Sequence, residues 1–349
     1  MSNLTLLRLN LANSYNLSPL FNNFCIRIGK SMFHKTYSSI YYSIHTKSFS
    51  FERSSVNFML NKVVIIQKSC INMKDENSKV DFVDISFCNV MSSGNGGCFL
   101  AVTSDIFVSC CNFNNCSTLT GFGGAFYIDS SCKSFIMQKS CFFLCSGVQS
   151  HGYRVECSNA SAGLFVVMLC NKQRIGSYGS FLFSKANIAN DFNSTNNLIE
   201  RHGTGIYYFK VISGVSSRGV ITQCEGMAIE MLDSASNCIM SFHNLVNNTC
   251  TNHGILFSSV TNNHWKNCLF IKNINTFLYT KASFYDCSFD FGYYNTVYWI
   301  TGNVFSVTSY STISIHHSCI QSTVSITFHL IRTHVRFIFL EIAFFSQIQ

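Results

Sequence analysis

The sequence is short of charge, of proline and of long apolar runs. Only 11% of its 349 residues are Asp, Glu, Lys or Arg, where soluble domains average about 25%. So few charges cannot coat the solvent faces of an ordinary helical bundle. A single proline occurs. Proline lacks the N–H that a β ladder needs, so its scarcity suits nearly continuous strand pairing. No stretch approaches the ~20 apolar residues of a membrane-spanning helix. The longest apolar stretches are Leu164–Cys170 and Phe337–Phe345, the second interrupted by Glu341. Disorder is excluded from the other side, because 47% of the chain is apolar and disordered segments combine low hydrophobicity with high net charge.

What the chain has in excess is Phe (34) and Cys (18), with a formal net charge of +8. The basic residues do not concentrate. Arg8, Arg27, Lys30, Lys35 and Lys47 are widely spaced, and Arg332, His334 and Arg336 make one small patch. Neither tracks a phosphate backbone, so nucleic-acid binding is not expected. Near the start, Leu7, Leu9 and Leu11 alternate with polar residues, which is a strand pattern rather than a targeting helix.

The cysteines do not read as a metal site. No Cys-x2-Cys occurs, and Cys110, Cys111, Cys116, Cys141 and Cys145 do not pair with histidines at zinc-finger spacing. His316-His317 reads as a strand end. Several cysteines sit inside apolar strands, as Cys88 beside Phe87, Cys98 beside Phe99 and Cys268 before Leu269. There a thiol behaves as a small buried hydrophobe. We expect core thiols stacked between repeats, able to oxidise on adjacent rungs where the compartment allows.

A repeat organises the chain. Gly or Asn followed by two or three apolar residues recurs at intervals of 20–28 residues. Gly97-Cys98-Phe99-Leu100 and Gly124-Ala125-Phe126-Tyr127 begin the series; Gly226-Met227-Ala228-Ile229, Gly254-Ile255-Leu256-Phe257 and Asn275-Thr276-Phe277-Leu278 continue it. Upstream lies a second landmark, a short strand with Cys or Phe at alternate positions, closed by Asn, Cys or Ser. Cys111-Asn112-Phe113-Asn114-Asn115-Cys116 and Cys268-Leu269-Phe270-Ile271-Lys272-Asn273 are examples.

Hairpin repeats would be shorter and carry Asn-Gly or Asp-Gly turns, which are nearly absent. Helical repeats would show long amphipathic stretches. A unit of 20–28 residues holding two or three strands fits one coil of a parallel β-helix, each coil about 4.8 Å above the last. The expected fold class is therefore all-β, a parallel solenoid of roughly ten to twelve coils. We divide it into residues 1–60 (N-terminal cap or incomplete first coils), 61–323 (repeats) and 324–349 (C-terminal cap). The recurrent glycine should supply φ > 0 or close backbone approach at a corner. Ser93-Gly94-Asn95-Gly96-Gly97 does not read as a phosphate cradle, because strand rather than helix follows it.

These residues carry a resemblance. Gly123-Gly124-Ala125-Phe126 and Gly96-Gly97-Cys98-Phe99 are similar to the Gly-Gly-Ala-Ile repeat of the polymorphic outer-membrane proteins of chlamydiae. Phe270-Ile271-Lys272-Asn273 matches that family's Phe-x-x-Asn motif, and Phe113-Asn114-Asn115-Cys116 departs from it at the last position. Cys- and Asn-rich relatives occur among predicted surface proteins of protist parasites. The resemblance covers roughly residues 80–300. It implies a right-handed β-helix, a cell-surface or secreted location and a part in adhesion. No signal peptide, membrane anchor or outer-membrane barrel is read from the sequence, and a truncated member of an expanded surface-protein family is a third possibility beside the two below.

Function is read from what the coils can present. Polysaccharide lyases and hydrolases on this fold need acid clusters. The 16 acids here are scattered. Their best groups are Glu225, Glu230 and Asp233; Asp81 and Asp84; Asp286 and Asp290. No catalytic, cofactor or metal residues are assigned. Aromatics are the better material. Tyr207, Tyr208, Tyr293, Tyr294, Tyr298 and Trp299 fall on successive coils. An aromatic flank would suit glycans or host and other surface proteins, although packing into the core competes with that role. The expectation is a non-enzymatic contact or adhesin-like module, with a carbohydrate-active enzyme as the alternative.

Overall fold

In the computed structural model the described residues are 71–171, 181–209, 214–232, 238–250, 255–258, 263–278 and 282–289, with the backbone of further strands between 3 and 66 and between 294 and 330. Side chains are described for about six coils. Every regular element among these residues is a strand. Strand follows strand in parallel, each pairing with its equivalent in the next coil, so the chain is a parallel β-solenoid.

Each coil has three faces. One long strand, Ile71–Cys88, bends across all of them. Its residues 71–75 and 79–83 pair with 99–103 and 105–109, and its residues 86–88 pair with 112–114. The register along the first face runs Tyr41, Ile71, Phe99, Phe126, Tyr153, Phe181, Ile206, Ile229, Leu256, Leu278 and Val297. Every landmark strand of the sequence repeat that starts with Phe, Tyr or Ile after a glycine enters this column. Coil length varies. Bonds between equivalent positions span 27 residues at Ala189–Ser216, 25 at Asn248–Asn273 and 19 at Cys268–Cys287.

The core is a stack of rings between these faces. Phe82 lies 4.3 Å from Phe99, Phe99 lies 4.5 Å from Phe126, and Phe126 lies 5.0 Å from Tyr153, all stacked. Facing them, Phe87 stacks on Phe113 and Phe113 on Phe142 at 5.4 and 4.8 Å. Parallel pairing without stagger puts like on like, so a planar ring in one coil is best covered by a planar ring in the next. Each fully buried ring contributes about 1.5–3 kcal/mol relative to exposure. From the middle coils on, the third-face column changes to Val167, Ser194, Ile221, Leu245 and Phe270.

The corners explain more of the sequence than the faces do. Between the second and third faces one residue per coil is left-handed: Asp84, Cys110, Lys139, Leu164, Asp191, Arg218, Phe242, Asn267 and Asp286, with φ of 51–58°. After the third face the same happens at Asn89, Asn115, Leu144, Leu169, Asn196, Gln223, Asn247 and Lys272, with φ of 50–57°. The expectation that glycine turns the corners holds only at a third corner, where Gly96 and Gly123 have φ of 67° and 68°. Their neighbours Gly97 and Gly124 are needed for space instead. A Cβ on Gly124 would meet the carbonyl oxygen of His151 at 2.0 Å.

A left-handed residue with a side chain costs roughly 1–2 kcal/mol. Here the geometry is held from above. The backbone N–H of Asn115 donates to Phe143 O at 2.8 Å, that of Leu144 to Met168 O at 3.2 Å, and that of Asn196 to Thr222 O at 3.1 Å. Each corner is thus locked by a bond to the coil above.

The residue following each left-handed corner is buried, and where it is Cys or Asn it caps a carbonyl of the coil below. After the third face this column reads Val90, Cys116, Cys145, Cys170, Asn197, Cys224, Asn248, Asn273, all buried. Cys145 Sγ lies 3.5 Å from Phe113 O in the coil below, and Cys224 Sγ lies 3.6 Å from Ser194 O. Asn248 Nδ2 donates to Ile221 O at 2.9 Å and Asn273 Nδ2 to Leu245 O at 2.8 Å. Cys and Asn are therefore interchangeable donors at one structural position. The expected stack of buried thiols is present, and it supplies hydrogen bonds as well as packing. At the other corner Cys111, Cys268 and Cys287 do the same, toward Phe82, Met240 and Trp265.

At the far end, Ser311–Cys319 and Ser322–Leu330 form an antiparallel pair that contains His316 and His317.

Candidate contact surface

The second face carries an outward column with several exposed apolar residues. Its strands alternate, so one register column faces solvent while the next faces the core. The inward column is Phe82, Val108, Met137, Ala162, Ala189, Ser216, Met240 and Trp265, all buried. The column one residue before it is Asp81, Phe107, Ile136, Ser161, Ile188, Val215, Ile239 and His264. Ile136 is 46% exposed, and Ile188 and Val215 are each 40% exposed. Phe107, Ile239 and His264 are half-buried. At about 4.8 Å per coil, the column from Phe107 to Ile239 forms a mainly apolar strip roughly 24 Å long, interrupted by Ser161. At one end an open depression of about 500 Å³ is lined by Lys79, Asp81, Asp105, Phe107, Ser134 and Ile136.

The first face presents a more polar strip. The register column of Arg154 runs through Leu100, Tyr127, Leu182 and Tyr207. Arg154 Nε donates to Glu156 Oε1 and Nη1 to Gln149 Oε1, both at 2.8 Å. Its guanidinium lies 4.2 Å from the Phe122 ring centre. Burial, with the carboxylates of Glu156 and Asp129 nearby, pushes the Tyr127 hydroxyl well above its ordinary pKa.

The aromatic residues named from sequence separate. Tyr207 and Tyr208 both lie on strand Leu198–Phe209. Tyr207 shares the register of Arg154, whereas Tyr208 shares the register of buried Ile128 and Val155. Tyr294 opens strand Tyr294–Val297, opposite Asn275. Tyr293, Tyr298 and Trp299 lie outside the described residues.

The acid groups also spread out. Asp81 is on the outward column of the second face, while Asp84 and Asp286 are corner residues. Glu225 pairs in register with Leu198 and Thr249, and Glu230 with Tyr207 and Phe257. Asp233 and Asp290 lie outside the described residues. Among the described residues no three His, Cys, Asp or Glu are grouped to hold a metal ion, and no helix is long and apolar enough to cross a membrane.

Two histidines are buried away from these surfaces. Burial lowers His151 to a pKa of about 3 and His243 to about 4. The His243 ring packs 5.7 Å from Phe192 and 6.3 Å from Trp265.

No protein family matches this chain by sequence, and no curated protein or solved structure matches it either.

Proposed function

We propose that this solenoid is a non-enzymatic, adhesin-like contact module that lays its second face against a partner surface. The supporting observation is the outward strip through Ile136, Ile188 and Val215, each at least 40% exposed. Isolated exposed apolar residues are ordinary on a protein surface. A line of them on one face, at one register position, is the usual mark of an interaction site.

The resemblance to chlamydial outer-membrane repeats and their protist relatives supports the same reading. In Phe270-Ile271-Lys272-Asn273 the Phe fills the core, Lys272 turns the corner and Asn273 caps a carbonyl. In Phe113-Asn114-Asn115-Cys116 the departing cysteine does the capping. The motif is thus a description of one corner, and cysteine satisfies it.

The test compares the wild-type chain with an Ile136→Glu/Val215→Glu double variant for attachment to cell-surface membranes. Attachment should fall at least tenfold while the unfolding midpoint holds. Equal attachment by the variant, or confinement of the native protein to the cytosol by fractionation and surface labelling, sinks the reading. A carbohydrate-active enzyme is the second reading, favoured by Asp81 and Asp105 lining one depression. Release of product from a panel of pectins and other uronides, with and without calcium, would support it, and no release would end it.

A further inference from the structure

Cys132 closes the strand Phe126–Cys132, and Cys157 lies within Tyr153–Met168 one coil on. They are register partners in the parallel ladder. Their Sγ atoms are 3.3 Å apart. Each thiol also reaches the carbonyl two residues ahead, Cys132 to Ser134 O at 3.2 Å and Cys157 to Asn159 O at 3.3 Å. Adjacent strands lie about 4.8 Å apart, which falls inside the Cα separation a disulfide spans. The pair therefore meets the distance requirement without moving the backbone.

Position separates this pair from the other stacked thiols. Cys116, Cys145 and Cys170 are followed by Ser117, Ser146 and Asn171, which are buried or half-buried. Cys132 is followed by exposed Lys133, and exposed Asn159 lies two residues after Cys157. The corner around 132 and 157 thus carries exposed residues on its outer side, over two buried sulfurs. The inner thiols sit on carbonyls of the coil below. Cys145 is 3.5 Å from Phe113 O, and Cys170 is 3.9 Å from Phe142 O. Oxidising them would leave acceptors inside the core without a donor, which costs stability. Ser134 and Asn159, whose carbonyls Cys132 and Cys157 reach, are half-buried and exposed, so water can replace the donor lost there.

We propose that Cys132 and Cys157 are a modification site, forming an inter-coil disulfide when the chain meets a low-molecular-weight disulfide such as oxidised glutathione. The thiolate of one cysteine attacks the external disulfide, giving a mixed disulfide and releasing one small thiol. The second cysteine attacks the protein sulfur of that mixed disulfide, forming the Sγ–Sγ bond and releasing the second small thiol. Two protein S–H bonds and one external S–S bond are lost; one protein S–S bond and two external S–H bonds are gained. The protein pair gives up two electrons and the external disulfide takes them. The hydrogen bond from Cys157, with burial, holds the Cys132 sulfur in the thiol form, and both sulfurs are buried, so the reaction in the folded chain is slow and runs at the rate of corner opening.

The test incubates the reduced full chain in reduced and oxidised glutathione buffers. The reaction is quenched with acid and thiols are alkylated, then cross-linked peptides are mapped by mass spectrometry. The expected product is one link joining the peptides that hold Cys132 and Cys157, absent in Cys132→Ser. The closed loop spans 25 residues. The chain-entropy relation then makes the oxidised chain harder to unfold, on the order of a hundredfold in the equilibrium constant. The proposal is overturned if both cysteines stay alkylatable while Cys116–Cys145 or Cys268–Cys287 links appear. It is also overturned if, at equilibrium in the same glutathione buffer, the 132–157 link is no more abundant in the native chain than in urea. Mapping needs only the wild-type chain, so a variant that fails to fold does not blunt it.

Discussion

Replacing Asn248 tests whether the corner column works through hydrogen bonds rather than through size. Asn248 is fully buried. Its Nδ2 donates to Ile221 O at 2.9 Å and to Asn273 Oδ1 at 2.9 Å, and its Oδ1 accepts from the Cys224 N–H at 3.0 Å. Leucine has the same number of side-chain heavy atoms and the same branching, though it is bulkier, and none of these groups. Asn248→Leu leaves Ile221 O and the Cys224 N–H buried without this partner, at roughly 1–3 kcal/mol each. The added apolar surface offsets about 1 kcal/mol. The net expected loss is about 3 kcal/mol. Asn248→Cys should behave differently. A thiol there faces Ile221 O as Cys224 faces Ser194 O, and the Cys224 N–H meets sulfur as the Cys268 N–H meets Cys287 Sγ at 3.4 Å. The loss should be under about 1.5 kcal/mol. Urea unfolding of the three chains at constant slope gives the stabilities. Hydrogen exchange at the Cys224 amide reports the local effect. A leucine variant within about 0.5 kcal/mol of wild type, or a cysteine variant as unstable as the leucine one, would refute the capping argument.

Three further outcomes follow from the same geometry. Gly124→Ala should destabilise by more than about 2 kcal/mol, because its Cβ meets backbone oxygens of His151 and Ser146 at 2.0 and 2.6 Å. Gly163→Ala, whose Cβ meets only Asn190 O at 3.6 Å, should be neutral or gain up to about 1 kcal/mol; paired thermal melts check both. Phe242→Asn should stabilise by about 0.5–1 kcal/mol in urea unfolding, since Phe242 is left-handed and 47% exposed and asparagine adopts that conformation at lower cost. Acid should weaken the fold through His151 and His243. Their folded pKa values of about 3 and about 4 lie below the ordinary 6.5, so the unfolded chain binds more protons between those limits. Stability present above pH 6.5 is lost as pH falls, about 2 kcal/mol per histidine by pH 5; His243→Gln should flatten that part of a pH–stability curve, and an unchanged slope counts against the assignment.

The solenoid was legible because its signal is one of period and residue size. Phe99, Phe126 and Tyr153 recur after glycines at nearly equal spacing, and the structure stacks them in one column. The corners were not legible by residue type. Asp84, Cys110, Lys139, Leu164, Asp191 and Arg218 share one backbone conformation and no chemistry. A corner set by a backbone bond to the next coil, as Cys110 N–H to Gln138 O, leaves no trace in the side chain. The capping role of cysteine was hidden for a related reason. It shows only when register places Cys170 beside Asn197 and Asn197 before Cys224, so that Asn197 Oδ1 accepts from the Cys170 N–H at 2.8 Å. The outward strip was out of reach because successive steps along it differ, as 25 residues from Ile136 to Ser161 and 27 from Ser161 to Ile188. A slip of one residue turns a strand's side chains to the opposite face, so a fixed period does not assign the column. The same alternation separates Tyr207 from Tyr208, which sequence reading had placed on one flank.

Unequal coils that stack in register require a fixed part and a variable part, and the corners show which is which. At the corners the left-handed residue is placed by its N–H, as at Cys110, Asn115 and Phe242, and the residue after it turns into the core. The first constraint uses only backbone atoms, so any side chain that tolerates the conformation can stand there. The second needs a buried side chain that packs or caps, and Cys and Asn do both. The coils are repeated trials of the same position within one sequence. At the corner between the second and third faces they carry acids, bases, aromatics and aliphatics; at the next position, His243 apart, they stay small or apolar, and all are buried. Surface chemistry can therefore change at the corners without disturbing the ladder. The Arg218–Asp191 pair, with Nη2 2.8 Å from Oδ2, joins two adjacent corners in just this way. A solenoid built on these rules keeps its core constant while its ridges and its second face take on whatever chemistry a partner requires.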